Sequence, residues 1–270
     1  MEQPLPAERH RRIREVLQER RAVRVSTLSE LLGVSEVTIR RDLEDLERRG
    51  LLERTHGGAI LAQRLTWESP YPEAAARNPA QKRQIGAVAA TLIRPGDTVF
   101  LNGGTTTLEV FRHIASPDVR VVTNLVGAAR EADGRPGELL LVGGEYRSPS
   151  NSCVGDFATQ ALRRIFASRS FIGVEGLSRR SGLTTPAAPE AEVARVMIEQ
   201  TQGEVVVVAD SSKLGTIADF SIAPIETASV LVTDGGIDDE YRSDLASIGV
   251  RVLIAGERQP QPAGADRAEG

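Results

Sequence analysis

The chain has 270 residues, 40% of them hydrophobic and 26% charged, with a formal net charge of −4. This is enough apolar material for one large or two smaller soluble domains, and the charge excludes a protein that coats nucleic acid along its whole surface. A single cysteine, Cys153, excludes an internal disulfide and a cysteine-rich zinc site, and the three histidines, His10, His56 and His113, lack metal-ligand spacing. No metal and no cofactor is expected.

No apolar run reaches the length of a membrane span. The opening Met1-Glu2-Gln3-Pro4 lacks the basic and then apolar layout of a secretory signal, so the expected location is cytoplasmic, away from any membrane. Charge is unevenly placed: seven arginines stand between Arg9 and Arg24 against two acids, Glu15 and Glu19. Such a local patch suffices for phosphate contact.

Residues 9–22 read as a helix with Ile13, Val16 and Leu17 on one face. A second helix is expected over 26–32, capped by Ser26 and ended by Gly33. A third starts at Ser35, whose hydroxyl suits an N-cap, and stops at Gly50. Ile39, Leu43 and Leu46 form its buried stripe, and Thr38, Arg40 and Arg41 fall away from that stripe. Taken alone, this helix fits an ordinary charged surface as well as a major groove. Its neighbours decide for the groove: three short helices with a tight turn between the last two form a helix-turn-helix. Two short apolar runs around Gly57-Gly58 follow as a hairpin, placed as a wing, with Arg54 and His56 near the DNA backbone.

Residues 9–60 resemble the N-terminal domain of the DeoR family of bacterial transcriptional regulators. The resemblance rests on Val34-Ser35, Thr38-Ile39-Arg40-Arg41-Asp42-Leu43, Leu46, Gly50 and Arg54-Thr55-His56-Gly57-Gly58-Ala59. It implies double-stranded operator DNA as partner and Ser35, Thr38, Arg40, Arg41, Arg54 and His56 as the DNA-binding residues.

Residues 62–80 read as a linker, with Pro70, Pro72 and Pro79 breaking regular structure and Trp67 and Tyr71 packing on a domain or a partner. From residue 81 the texture alternates. Strands are expected at 98–101, 120–123, 139–142, 171–174, 205–209, 230–233 and 252–254. Helices are expected at 82–93, 106–115, 125–132, 154–166, 190–201 and 240–247. This is the pattern of a mainly parallel α/β sheet, which gathers ligands at the carboxyl ends of its strands. The division is 1–61 for DNA binding, 62–80 as linker, 81–256 for effector binding and oligomerisation, and 257–270 as a disordered tail rich in Pro, Ala and Gly.

The first strand runs into Asn102-Gly103-Gly104-Thr105-Thr106-Thr107 at a helix start, where backbone N–H groups and hydroxyls suit an anion. Of 33 basic residues only Lys82 and Lys213 are lysine. Either both survived by chance, or a compact ammonium was kept where a planar guanidinium would not fit.

The second domain also resembles the DeoR family, through Lys82-Arg83-Gln84-Ile85-Gly86, Gly96-Asp97, Gly104–Thr107, Val122-Thr123-Asn124, Gly143-Gly144, Phe171-Ile172-Gly173, Gly182-Leu183-Thr184-Thr185, Glu190-Ala191 and Ala209–Lys213. That resemblance implies a fold similar to ribose 5-phosphate isomerase, a phosphorylated sugar as effector and a homo-oligomer. It gives the effector-binding role to Lys82, Gly104, Thr105, Thr106, Thr107 and Lys213. Against the family's usual pattern, Asn102-Gly103 replaces Asp-Ser, Ser168 replaces Asp and Glu175-Gly176 replaces Asp-Gly.

The leading expectation is therefore a repressor of a carbohydrate operon without catalytic residues. Two rivals stand beside it. A sugar-phosphate isomerase needs a carboxylate base, for which Glu175 and Asp210 are the strand-end candidates and Ser168 a lost one. A domain that only dimerises predicts no small-molecule effect on DNA release.

Overall fold

A computed structural model describes residues 5–257 except Arg21, His56, Thr66 and Pro136. The expected tail and His56 thus lie outside the described residues. The N-terminal unit runs α1 (Pro6–Arg20), β1 (Ala22–Arg24), α2 (Val25–Leu32), α3 (Glu36–Arg48), β2 (Leu52–Arg54) and β3 (Gly58–Leu61). Its three strands form an antiparallel sheet in the order β1-β3-β2.

Ser35 caps α3 as expected, accepting the Thr38 N–H at 3.3 Å. Gly33 sits in the left-handed region at φ 63° and turns the chain between α2 and α3, a conformation that disfavours any residue with a Cβ. Ile39, Leu43 and Leu46 are at most 1% exposed and pack with Ile13, Leu17 and Leu28. Burying each such side chain stabilises the fold by about 1.5–3 kcal/mol. Ser26 does not cap α2. The strand β1 carries the chain straight into the helix, so Arg24 takes the cap position without a side-chain bond.

Residues 62–80 hold more structure than a linker: β4 (Gln63–Arg64), α4 (Tyr71–Ala76) and the start of α5 (Pro79–Ala90). Pro72 and Pro79 begin helices rather than break them, because a missing N–H is harmless in the first turn. Tyr71 packs on the core beneath, whereas Trp67 is 56% exposed.

The C-terminal unit continues with β5 (Thr98–Leu101), α6 (Thr105–His113), β6 (Arg120–Thr123), α7 (Val126–Glu131) and β7 (Glu138–Leu141). A hairpin of β8 (Glu145–Arg147) and β9 (Ser152–Val154) leads to α8 (Asp156–Leu162) and β10 (Ala167–Gly173). Then come β11 (Gly176–Ser178), β12 (Gly182–Thr185), α9 (Ala188–Glu199), β13 (Thr201–Val208), β14 (Thr216–Ile217) and β15 (Phe220–Ala223). The last elements are β16 (Val230–Asp234), α10 (Asp239–Ser247) and β17 (Arg251–Ala255).

Seven of these strands form one sheet, β17-β16-β13-β10-β5-β6-β7, in which every pair is parallel. Alternate residues serve opposite faces. Phe100, Ile172 and Val207 pack toward α8 and α9, while Val99, Leu101, Phe171 and Val206 pack toward α5 and α6. Burial on both faces explains why the strands read as continuous apolar runs. From β5 the chain proceeds to β6 on one side, and β10 lies on the other. The strand order therefore reverses between β5 and β10, which opens a crevice at their carboxyl ends.

Candidate functional site

The exposed side of α3 is built around its cap. The Ser35 and Thr38 hydroxyls lie 3.0 Å apart, so both help close the helix start. Arg40 is exposed and pairs with Glu36 one turn back at 2.7 Å, a surface pair of little strength that leaves it free to move. Arg41 is exposed and has no ion-pair partner among the described residues. The acid between them and Leu43 behaves differently. Asp42 is 5% exposed and accepts from Arg9 Nε at 2.7 Å and Nη2 at 2.9 Å, with His10 Nε2 at 3.0 Å. It staples α1 to α3 and keeps its charge away from the exposed face. One signal for this was present in the sequence: Asp42 falls on the Ile39, Leu43, Leu46 stripe.

The basic patch is smaller than the sequence suggests. Arg9 is inside, and Arg24 faces α10, with Nε 3.4 Å from Glu240. Arg54 is tied to α3, its guanidinium to Glu44 at 3.0 Å and its N–H to Glu47 at 2.9 Å. The wing turn packs on the C-terminal unit: the Thr55 hydroxyl donates to Glu240 at 3.2 Å. A Cβ on Gly57 would stand 2.6 Å from the Glu240 carboxylate, and one on Gly58 would stand 2.2 Å from Val23 O. The two glycines thus answer to α10 and to β1. The wing hairpin therefore also packs on the C-terminal unit, a contact the sequence did not mark.

The crevice at the switch point holds a cavity of about 130 Å³. Lys82, Gly104, Thr105, Thr106 and Lys213 all line it. At its floor the chain enters α6, whose first N–H groups have no acceptor within the helix. Thr107 does not line it. It is fully buried, and its hydroxyl donates to Asn102 O at 2.7 Å and Gly104 O at 3.0 Å, which shapes the loop. Lys82 projects from α5, is 5% exposed and donates to Ala74 O at 2.5 Å. Burial lowers its pKa from the ordinary value; Asp210 opposes this and Lys213 adds to it. Lys213 closes a 3-10 turn capped by Asp210, and its Nζ donates to Glu175 at 2.5 Å.

Several further residues shape the crevice, of which Glu68 and Arg147 were not singled out from the sequence. Asn102 clamps β5 to β10: its Nδ2 donates to Gly173 O at 2.9 Å and its Oδ1 accepts Gly173 N–H at 2.8 Å. An amide does both, and an ionised carboxylate, which only accepts, cannot; this accounts for Asn where an Asp is usual. Gly103 has a local cause as well, because a Cβ there would meet Ser152 Cβ at 2.7 Å. Arg147 bridges Glu68 and Glu190, both of which line the cavity, and burial raises the Glu190 carboxyl above its ordinary pKa. Glu68 comes from the segment read as linker, so nothing local marked it. Asp210 is tied to Asn78 at 3.0 Å and to Ser212. Ser168 lies at the amino end of β10, where its hydroxyl accepts Thr98 N–H at 3.3 Å, so its departure does not touch this crevice.

Among the described residues, no cluster of His, Cys, Asp and Glu is placed to hold a metal ion, and no helix is long and apolar enough to cross a membrane.

Known proteins match both units. The DeoR-like helix-turn-helix domain matches residues 9–64, and the DeoR C terminal sensor domain matches residues 77–235. The HTH-type transcriptional regulator GlpR of Haloferax volcanii is 38% identical over 250 residues, covering 92% of this chain and 98% of that protein. A putative aga operon transcriptional repressor of Escherichia coli O157:H7 is 36% identical over 257 residues, covering 93% and 94%. A ribose 5-phosphate isomerase from Methanocaldococcus jannaschii overlaps 51% of this chain and 55% of its own at 16% identity, with a TM-score of 0.37. These relatives are regulators rather than enzymes, and with a sensor-domain match over more than half its length the chain belongs to the DeoR family of DNA-binding transcriptional regulators.

Proposed function

We propose that this regulator represses a carbohydrate catabolic operon and that a phosphorylated sugar bound in the crevice controls it. One observation carries the reading. The chain's only two lysines, distant in sequence, line one cavity with the start of α6. Two ammonium groups, unpaired helix N–H groups and the Thr105 and Thr106 hydroxyls make a cradle for a phosphate. Glu190 and Asn124 line the remainder, where they suit the hydroxyls of a sugar. Glu175 and Asp210 are engaged by Lys213 and by Asn78 and Ser212, which leaves neither set up as an isomerase base.

Operator DNA is read by Thr38, Arg40 and Arg41, with Ser35 holding the helix start and Arg54 and His56 on the wing side. The protein works as a homo-oligomer, because paired recognition helices read paired half-sites. It acts in the cytoplasm, where its operator lies. The test is a thermal-shift screen of pentose, hexose and triose phosphates against inorganic phosphate, then a gel shift with any hit. A panel in which no phosphorylated sugar shifts the melting temperature or releases operator would overturn the effector reading.

A further inference from the structure

Lys213 already holds an anion, the Glu175 carboxylate, at 2.5 Å. Both residues line the crevice where a phosphate needs the same ammonium. The backbone beyond each leads to the winged helix. Glu175 enters β11, and Arg179, just past its end, donates its N–H to the Glu53 carboxylate on β2. Lys213 leads through Gly215 into β14, which pairs in parallel with β4, Thr216 opposite Gln63 and Ile217 opposite Arg64. Gln63 N–H donates to Gly215 O at 3.1 Å and Leu65 N–H to Ile217 O at 2.9 Å. Only Ala62 separates β4 from β3. The two paths touch where Gly215 N–H donates to Leu177 O at 2.9 Å, and then they part. The ion pair therefore heads a fork whose tines end on the two strands of the wing hairpin.

We propose that Glu175 is the internal anion that the effector's phosphate displaces from Lys213, and that the fork reports this displacement to the wing and lowers operator affinity. The proposal rests on the phosphorylated effector of the preceding section. The exchange is physically sound: a phosphate brings more charge than a carboxylate and also meets α6. The displaced Glu175 side chain is 41% exposed and can turn to water. The turn at Gly215 has no slack against β3. Its φ is 73°, and a Cβ there would lie 2.8 Å from Leu61 O and 2.9 Å from Ile60. A shift of the turn is therefore felt directly by Ile60 and Leu61 of β3.

Glu175→Gln keeps the shape and removes the charge. In the full-length protein without any added anion, it should bind operator about ten-fold more weakly than wild type, within the range of allosteric couplings. In calorimetry with inorganic phosphate and with ribose 5-phosphate it should bind about ten-fold more tightly, its competitor gone. In a Glu53→Ala background, with one tine cut, the same substitution should change operator affinity less than three-fold, by a rough reckoning on that coupling. Wild-type operator affinity in Glu175→Gln, or weaker binding of both anions, overturns the proposal. If the wild type itself binds no phosphate or phosphorylated sugar, the effector reading fails. Normal anion binding with an unmoved Glu175→Gln removes only the displacement.

Discussion

Glu53→Gln isolates a buried carboxylate at the join between the two units. Glu53 lies on β2, is 6% exposed, and accepts the Arg179 N–H on Oε1. Its Oε2 has no hydrogen-bond partner. Burial pushes its carboxyl from 4.5 up to about 7, with the Arg179 hydrogen bond and charge opposing and Glu47 and Asp244 reinforcing. Below about pH 4.5 the group is neutral in the folded and the unfolded chain, and nothing is lost. Between 4.5 and about 7 the unfolded chain ionises first, so stability falls as pH rises. Above that window the loss is constant, at most about 3.5 kcal/mol at about 1.4 kcal/mol per pH unit. Glutamine retains the carbonyl that accepts from Arg179 and carries no charge to desolvate. The variant should match wild type near pH 4.5 and exceed it at pH 8, by up to about 14 °C in melting temperature at roughly 2–4 °C per kcal/mol. Thermal unfolding at a series of pH values is the assay. An advantage equal at both ends of the series, or none at pH 8, would refute this reasoning.

Arg41→Ala should weaken operator binding in a gel shift, by about 1–3 kcal/mol with relaxed specificity if the side chain reads a base, or with a salt slope lower by about one if it holds a phosphate; unchanged binding and slope would place DNA elsewhere. Lys82→Met keeps the stem in its buried slot and removes the ammonium, so calorimetry should show phosphorylated-sugar affinity falling about ten-fold or more, the effect of a lost charged hydrogen bond. Gly103→Ser should destabilise the protein by about 1–3 kcal/mol through its clash with Ser152. The double variant with Ser152→Gly should recover most of that loss in urea unfolding, and an additive double variant would mean the two positions do not compete for space.

Much of this molecule is legible locally. All seven strands of the large sheet appear in the sequence as short apolar runs, because a parallel sheet buried on both faces needs them that way. The Ser35 cap and the Ile39, Leu43, Leu46 stripe are likewise matters of a few residues. The short strands β1, β4 and β14 were invisible, since two or three residues carry no period and exist only through pairing with distant chain. The site divides in the same way. Gly104, Thr105 and Thr106 follow from a strand running into a helix. That Thr107 turns inward depends on carbonyl groups presented by the folded loop.

Sequence alone thus determined the strands of the large sheet, the helix-turn-helix and the family, all of which rest on patterns repeating within one or two turns. Tertiary structure alone decided where charged groups end. Asp42 meets Arg9 across 33 residues, Glu175 meets Lys213 across 38, and Glu53 meets Arg179 across 126. A charge taken out of water must find a partner, and which partner is within reach is set by how distant segments pack, not by the residues beside it in the chain.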